Sequence, residues 1–106
     1  MRKDFIEAYQ KFIDIWGEES QMLMAVEEMS ELIKEICKYK RLQYKYNPNA
    51  SEEKRKENLE HIKEEIADVL NMAEQLESIF GEEDIERIRK EKIDRTLKII
   101  EKSKNN

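Results

Sequence analysis

Residues 27–33 read EEMSELI, and residues 64–70 repeat the same order of residue types as EEIADVL. Each copy has two acids, an apolar residue, a small residue, a third acid and two apolar residues. The second and third acids of a copy are three positions apart, so on an α-helix they lie on one face, about 5–6 Å apart at Cβ. These acids are Glu28 and Glu31 in the first copy and Glu65 and Asp68 in the second. Each copy therefore predicts a helix that presents two convergent carboxylates.

A metal site is the simplest explanation for the repeated acid pairs. If the two helices pack antiparallel, four carboxylates meet in one place, and such a cluster is stable only when a cation or protons neutralise it. An all-carboxylate set prefers hard ions that keep water ligands, which favours Mg²⁺, with Mn²⁺ as a substitute. The competing interpretation is a solvated helix face, because a chain with 25 acids among 106 residues contains such spacings by chance. The matched flanks of the two copies favour the metal site.

A di-iron carboxylate centre does not fit this chain. Such centres in helical bundles need Glu-x-x-His on two helices. The chain has one histidine, His61, and the residue three positions before it is Asn58. We therefore expect His61 at the surface or at the rim of the site, and not as a ligand.

The spacing of apolar residues predicts four helices and no strand. Two glycines and one proline are the strongest breaks in the chain, and the apolar residues between them recur at helical spacing. The predicted helices run from about residue 3 to Trp16, from a cap at Ser20 to the tyrosines before Pro48, from a cap at Ser51 to Phe80, and from the acids after Gly81 to the polar tail at Lys102. The acid pairs flank the apolar stripes of the second and third helices and would line the rim of a cleft. The expected fold is all-α, a four-helix bundle.

Length and composition indicate one domain, residues 1–106, that associates with copies of itself. Of the chain, 42% is charged and 39% is apolar, with a mean hydropathy of −0.92, and this apolar content is thin for a lone domain. The net charge of −5 argues against nucleic acid as a partner, since nonspecific binding rests on basic patches. No apolar run approaches the ~20 residues that cross a bilayer, so we expect no membrane association and a cytoplasmic protein. Cys37, the one cysteine, excludes an intrachain disulfide and is expected in the core.

The acid pairs carry a resemblance to a known family. The order E-x-x-E followed by E-x-x-D is similar to the signature of the MazG-like, all-α nucleoside triphosphate pyrophosphohydrolases. Trp16 and Gln21 resemble the tryptophan and glutamine that often precede the first acid pair of this family, and KIDR at residues 92–95 resembles its K-[FM]-x-R element. The resemblance covers about residues 16–95. Two features depart from the family pattern: the spacer at residues 32–64 is somewhat long, and Lys90 stands where an asparagine is common.

The resemblance implies hydrolysis of an NTP or dNTP between the α and β phosphates, which yields the monophosphate and pyrophosphate. It also implies Mg²⁺ as cofactor and a homodimer or a dimer of dimers. The metal ligands and catalytic acids would be Glu28, Glu31, Glu65 and Asp68, one of which would also accept the proton of the attacking water. Lys92 and Arg95 would neutralise the charge that develops on the leaving pyrophosphate, because both are cationic and lie three positions apart on one helix. From the residues alone, a solvated face of the fourth helix explains these two cations equally well.

Two further substrate-binding candidates follow from residue type and position. Asn71 lies three positions beyond Asp68 and could hydrogen-bond a sugar or a phosphate, although an exposed asparagine on a helix could equally have no role. Trp16 could stack on a base, although packing in the core or at a dimer contact explains a tryptophan at a helix end equally well. The alternative for the whole chain is a noncatalytic helical oligomerisation or regulatory module, in which the acids only keep the helices soluble.

Overall fold

The computed structural model describes residues 3–104 of the chain, with side chains from Asp4 onward. A short 3-10 turn at Lys3–Phe5 leads into four α-helices: α1 (Ile6–Trp16), α2 (Glu18–Leu42), α3 (Glu52–Phe80) and α4 (Glu82–Lys104). Between residues 3 and 104 there is no strand, which confirms the prediction of an all-α fold with four helices. No helix in this range is both long enough and apolar enough to cross a membrane.

Glycines separate α1 from α2 and α3 from α4. Gly17 has a φ of 91° and Gly81 a φ of 116°. Residues that carry a Cβ atom rarely adopt this backbone conformation, whereas glycine adopts it readily. The N–H of each glycine donates to the carbonyl four residues earlier, at 2.8 Å for Gly17 and 2.9 Å for Gly81, and so closes the preceding helix. Both helix ends were predicted from these glycines.

The start of α2 differs from the prediction. We expected Ser20 as the cap, but α2 begins at Glu18, and Ser20 lies within its first turn. The reason is that the Gly17 carbonyl already accepts the first helical hydrogen bond, from the N–H of Gln21 at 3.1 Å. The predicted cap of α3 is confirmed, because the hydroxyl of Ser51 accepts a hydrogen bond from the N–H of Lys54 at 3.2 Å.

The helices α2 and α3 are antiparallel and meet along a line of polar side chains. From one end to the other, the paired residues are Gln21 with Gln75, Glu28 with Glu65, and Glu35 with Asn58. The numbers rise along α2 as they fall along α3, which defines the antiparallel direction. The residues on α2 are seven apart, about two helical turns, and therefore lie on one face of the helix. This polar line, defined by these three pairs, sets the register between the two helices.

The first helix completes a small core. Its residues Tyr9 and Ile13 are buried, as are Ala25 of α2 and Met72 of α3. The hydroxyl of Tyr9 lies 2.5 Å from a carboxylate oxygen of Glu74, to which it donates. An aromatic side chain and a hydrogen bond thus tie α1 to α3.

Much apolar surface of α2 and α3 is exposed. On α2, Met29, Ile36 and Tyr39, apolar residues that recur at helical spacing, are 38%, 47% and 41% exposed. Cys37 is also exposed, so the prediction that it lies in the core is wrong. The cause is the register: α2 meets α3 through the side chains of the polar line, and much of its apolar stripe stays exposed.

The chain divides into two compact units, Met1–Leu76 and Glu77–Asn106, and the division falls within α3. The first unit contains α1, α2 and most of α3. In the second unit α4 has no buried residue, and its surface carries ion pairs such as Arg87 with Glu91 at 3.1 Å. Glu77 at the end of α3 is buried and lies 3.7 Å from Arg89 of α4.

Candidate metal centre

Three carboxylates from two helices converge at the middle of the polar line. Glu28 of α2 and Glu65 and Asp68 of α3 each offer an oxygen, and these oxygens lie within 4.8 Å of one another. Glu28 and Glu65 are half-buried, whereas Asp68 is exposed. We call these three residues the acid centre.

The local sequence and the helix pairing both position the acid centre. Glu65 and Asp68 share a face because they are three apart on α3. Glu28 reaches them because it is paired with Glu65 in the polar line. The next pair of that line, Glu35 with Asn58, lies about 10 Å farther along the helices. The two neighbouring pairs of the polar line therefore determine the position along α3 at which Glu28 meets Glu65 and Asp68.

Without a cation, the acid centre favours a proton on Glu28. The pKa of Glu28 is raised from 4.5 to about 7, first by burial and then by the negative charge of Asp68. Hydrogen bonding with Glu65 and Asp68 and the charge of Glu65 raise this pKa further. A carboxyl group with such neighbours is stabilised in its neutral form, and a bound cation would supply the same compensation in place of the proton.

The residues of the acid centre fit a hard divalent cation. All three donors are carboxylate oxygens, the ligand type that Mg²⁺ and Mn²⁺ prefer. One oxygen of Glu65, Oε2, is buried and has no hydrogen-bond partner among the described residues. A buried acceptor without a partner lowers the stability of the folded state. A cation bound at this oxygen would remove that penalty. Mg²⁺ also keeps several water ligands, which the exposed side at Asp68 allows.

The fourth predicted ligand, Glu31, is not part of the acid centre. It is exposed on α2, and the group of three acids that lie together does not include it. Three residues of α-helix turn Glu31 by about 60° from Glu28 and shift it by about 4.5 Å along the axis. Its role as a metal ligand stays a prediction.

The two other candidates of the first unit have partners of their own. Asn71 is exposed, and its side-chain amide lies 3.2 Å from the hydroxyl of Tyr9. Trp16 stacks on Phe12, with ring centroids 5.5 Å apart, and is still 59% exposed. The tryptophan ring is therefore packed on one neighbour without being part of the core.

Lys92 and Arg95 belong to the second unit. Both are exposed on α4, and together with Ile88 and Glu91 they line an open depression of about 350 Å³. Among the described residues neither forms an ion pair, whereas the nearby Lys90 contacts Asp94 at 3.1 Å. The two side chains are thus available to an anion.

Sequence reasoning missed the polar residues that flank the acid centre. Asn58 is fully buried, and its Nδ2 donates to the carboxylate of Glu35 at 2.9 Å and to the Glu35 carbonyl at 3.1 Å. His61 lies 3.8 Å from the same carboxylate with its side chain half exposed, which agrees with its expected place at the rim. The signal that could have found the line is the seven-residue spacing of Gln21 and Glu35 about Glu28.

Comparison of the chain with protein-family models, with curated proteins and with solved structures found no match.

Proposed function

We propose that this chain is a Mg²⁺-dependent nucleoside triphosphate pyrophosphohydrolase of the MazG-like, all-α type. It would cleave an NTP or dNTP between the α and β phosphates to the monophosphate and pyrophosphate. The observation that carries the proposal is the convergence of Glu28, Glu65 and Asp68 within 4.8 Å across two helices. These are three of the four acids that the sequence pattern named.

Charge explains why such a site suits a triphosphate. A triphosphate brings about four negative charges near neutral pH, and it cannot approach three carboxylates unless divalent cations lie between them. Bound Mg²⁺ would offset the phosphate charge and lower the pKa of an attacking water. The half-buried Glu28 and Glu65 would hold the cation, and the exposed Asp68 leaves one side open for substrate and water.

The remaining residues are assigned to the substrate. Glu31 would add a ligand from the next turn of α2. Trp16 would stack on the base, which its 59% exposure supports. Asn71 would bind a sugar or phosphate oxygen, and Lys92 and Arg95 would bind the pyrophosphate, a role that their lack of ion pairs among the described residues supports.

The proposal includes assembly into a homodimer or a dimer of dimers. Val26 and Ile33 of α2 are 61% and 63% exposed, and Leu70 of α3 is 57% exposed. Exposed apolar side chains that form a continuous helix face mark a surface that another chain covers. A second copy of the chain is the occupant that the thin core of the protomer favours.

The test is a panel of dNTPs and NTPs incubated with the protein and Mg²⁺, with pyrophosphate and monophosphate quantified by chromatography. We expect release from at least one nucleotide, loss of at least 100-fold in rate for Glu65→Gln, and little change for the matched control Glu64→Gln. Glu64 is exposed and adjacent in sequence, so the control removes the same charge outside the acid centre. Absence of pyrophosphate with every nucleotide, in folded protein, would refute the proposal.

The exposed apolar faces also favour a second candidate, a noncatalytic helical oligomerisation module. In such a module the acid centre has no ligand to bind, so Mg²⁺ would leave the thermal stability of the protein unchanged. The pyrophosphohydrolase requires the opposite, because a cation that binds only the folded state stabilises it.

A further inference from the structure

Positive charge is concentrated in the segment that ends α2 and begins its connection to α3. Residues 38–47 read KYKRLQYKYN, with four cationic residues, three tyrosines and no acid. The rest of the chain then has 16 basic residues against 25 acidic ones. The net charge of −5 argued against nucleic acid for the chain as a whole, but the charge is unevenly distributed, and this segment is basic. We call residues 38–47 the basic tip.

The charged and aromatic side chains of the basic tip are accessible. Lys40, Arg41 and Lys45 are exposed, and within residues 3–104 none of them forms an ion pair. Tyr44 and Tyr46 are 61% and 60% exposed, values that are high for rings of this size. The tip therefore presents aromatic rings next to cations that have no counter-charge.

Arg55 of α3 holds the backbone of the basic tip in place. Its Nε donates to the carbonyl of Leu42 at 2.7 Å, and one terminal nitrogen donates to the carbonyl of Asn47 at 2.9 Å. Its guanidinium carbon lies 3.5 Å from the centre of the Tyr44 ring, and the hydroxyl of Tyr44 donates to Glu52. The ring is positioned before any ligand arrives, which reduces the entropy lost on binding.

Two open depressions border the basic tip. Lys40, Arg41, Tyr46 and Asn47 line the first, of about 480 Å³. The second, of about 460 Å³, includes Tyr39, Tyr44 and Lys56 in its wall. Both volumes fall in the range of about 300–1,000 Å³ that is typical of sites for small ligands or for segments of larger ones.

We propose that the basic tip binds single-stranded nucleic acid. Unpaired bases would stack on Tyr44 and Tyr46, and the phosphates between them would contact Lys40, Arg41 and Lys45. Stacking on exposed rings beside cations is the common mode for single strands, and it accepts any base because every base has a π face. A duplex keeps its bases paired and stacked, so it could use the cations but not the tyrosines.

The test is the fluorescence anisotropy of a labelled oligothymidylate and oligouridylate, with a duplex of equal length as comparison, over a salt titration. We expect both single strands to bind more tightly than the duplex at low salt. With three cations on phosphates, log affinity should fall against log salt with a slope of about −2, at about −0.7 for each contact. Tyr46→Ala should weaken binding at least fivefold, since one stacked base is lost.

A matched pair of charge variants locates the site. Lys40→Gln with Arg41→Gln should reduce the salt slope by about 1.4, whereas Lys98→Gln with Lys102→Gln, the same charge change on exposed positions of α4, should leave it unchanged. Glu65→Gln should bind the strands as the parent does, because the acid centre takes no part. This separates the proposal from the pyrophosphohydrolase activity.

Four results would overturn the proposal. These are the absence of binding at low salt, equal affinity for duplex and single strand, an equal loss in the α4 variant, and full displacement of the strand by a free mononucleotide at the same nucleotide concentration. The last result would identify a site for free nucleotides. Because Tyr46 is exposed and lies in the connection between helices, its replacement is expected to leave the fold intact.

Discussion

Glu28 and Asp68 share one acid centre across the contact between α2 and α3, and the charge of Asp68 is second only to burial in raising the pKa of Glu28. The two residues are far apart in the sequence and come from different copies of the repeated element. Their proximity favours either a proton or a bound cation at this centre.

Mg²⁺ should stabilise the folded protein. At a tenfold excess over its Kd, a cation that binds only the folded state adds about 1.4 kcal/mol to the free energy of unfolding. For a chain of this size, that corresponds to a rise in Tm of roughly 5 °C or more. Differential scanning fluorimetry with and without Mg²⁺ should show the rise for the parent and for Glu64→Gln, but not for Glu65→Gln. A rise of equal size in all three proteins would remove the acid centre as its cause.

In the metal-free protein, the contribution of Glu28 to the free energy of unfolding should fall as the pH rises from 4.5 to about 7. In this range the folded state binds more protons than the unfolded state, because the folded pKa is raised from 4.5 to about 7. The contribution is therefore fully present below pH 4.5 and is lost as the pH passes through 7. Urea denaturation in the presence of a chelator should show that Glu28→Gln lacks this loss, so that its stability relative to the parent increases with pH. The control Glu27→Gln, at an exposed neighbouring position, should keep the pH dependence of the parent.

Gln21→Ala should destabilise the chain by about 1–3 kcal/mol, since it leaves the buried Gln75 carbonyl oxygen without a donor. The two amides are 5% and 3% exposed, and they form a hydrogen bond of 2.7 Å. Replacing both residues with leucine removes both polar groups and should restore most of the loss. Urea denaturation measures each effect. Gln10→Ala, which removes an exposed hydrogen bond to Asp14, should change stability by less than about 0.5 kcal/mol, and an equal cost there would show that burial is not the cause.

Lysine at Val26 and Ile33 should dissociate the proposed oligomer. The two residues are seven apart on α2 and more than 60% exposed, so they lie on one uncovered apolar face. Sedimentation velocity should show a species larger than the 12.8 kDa chain for the parent and a monomer for the double variant. Lysine at Ser20 and Glu27, exposed polar positions that are also seven apart on α2, should leave the larger species intact. A parent that sediments as a monomer would contradict the assembly.

The helix boundaries were largely predictable because they depend on residues close in sequence. Gly17 and Gly81 end helices through a backbone conformation that belongs to glycine, and Ser51 caps α3 through a hydroxyl only three positions from its donor. The misplaced start of α2 has the same local character. Ser20 and Gly17 lie within one turn of each other, and either could precede the helix. The helix begins after Gly17, because the carbonyl of Gly17 accepts the first helical hydrogen bond.

The acid pairs were predictable for a similar reason, since a spacing of three residues places Glu65 and Asp68 on one face of any helix. That Glu28 joins them while Glu31 does not, and that polar side chains lie between α2 and α3 where apolar ones were expected, is a property of the packing. The helical hydrogen bond links residues four apart, so a short window of sequence contains what is needed to form each helix. The register of two helices is a balance of contacts between residues that are distant in the chain, such as Gln21 with Gln75 and Glu35 with Asn58, and it exists only once both helices have formed.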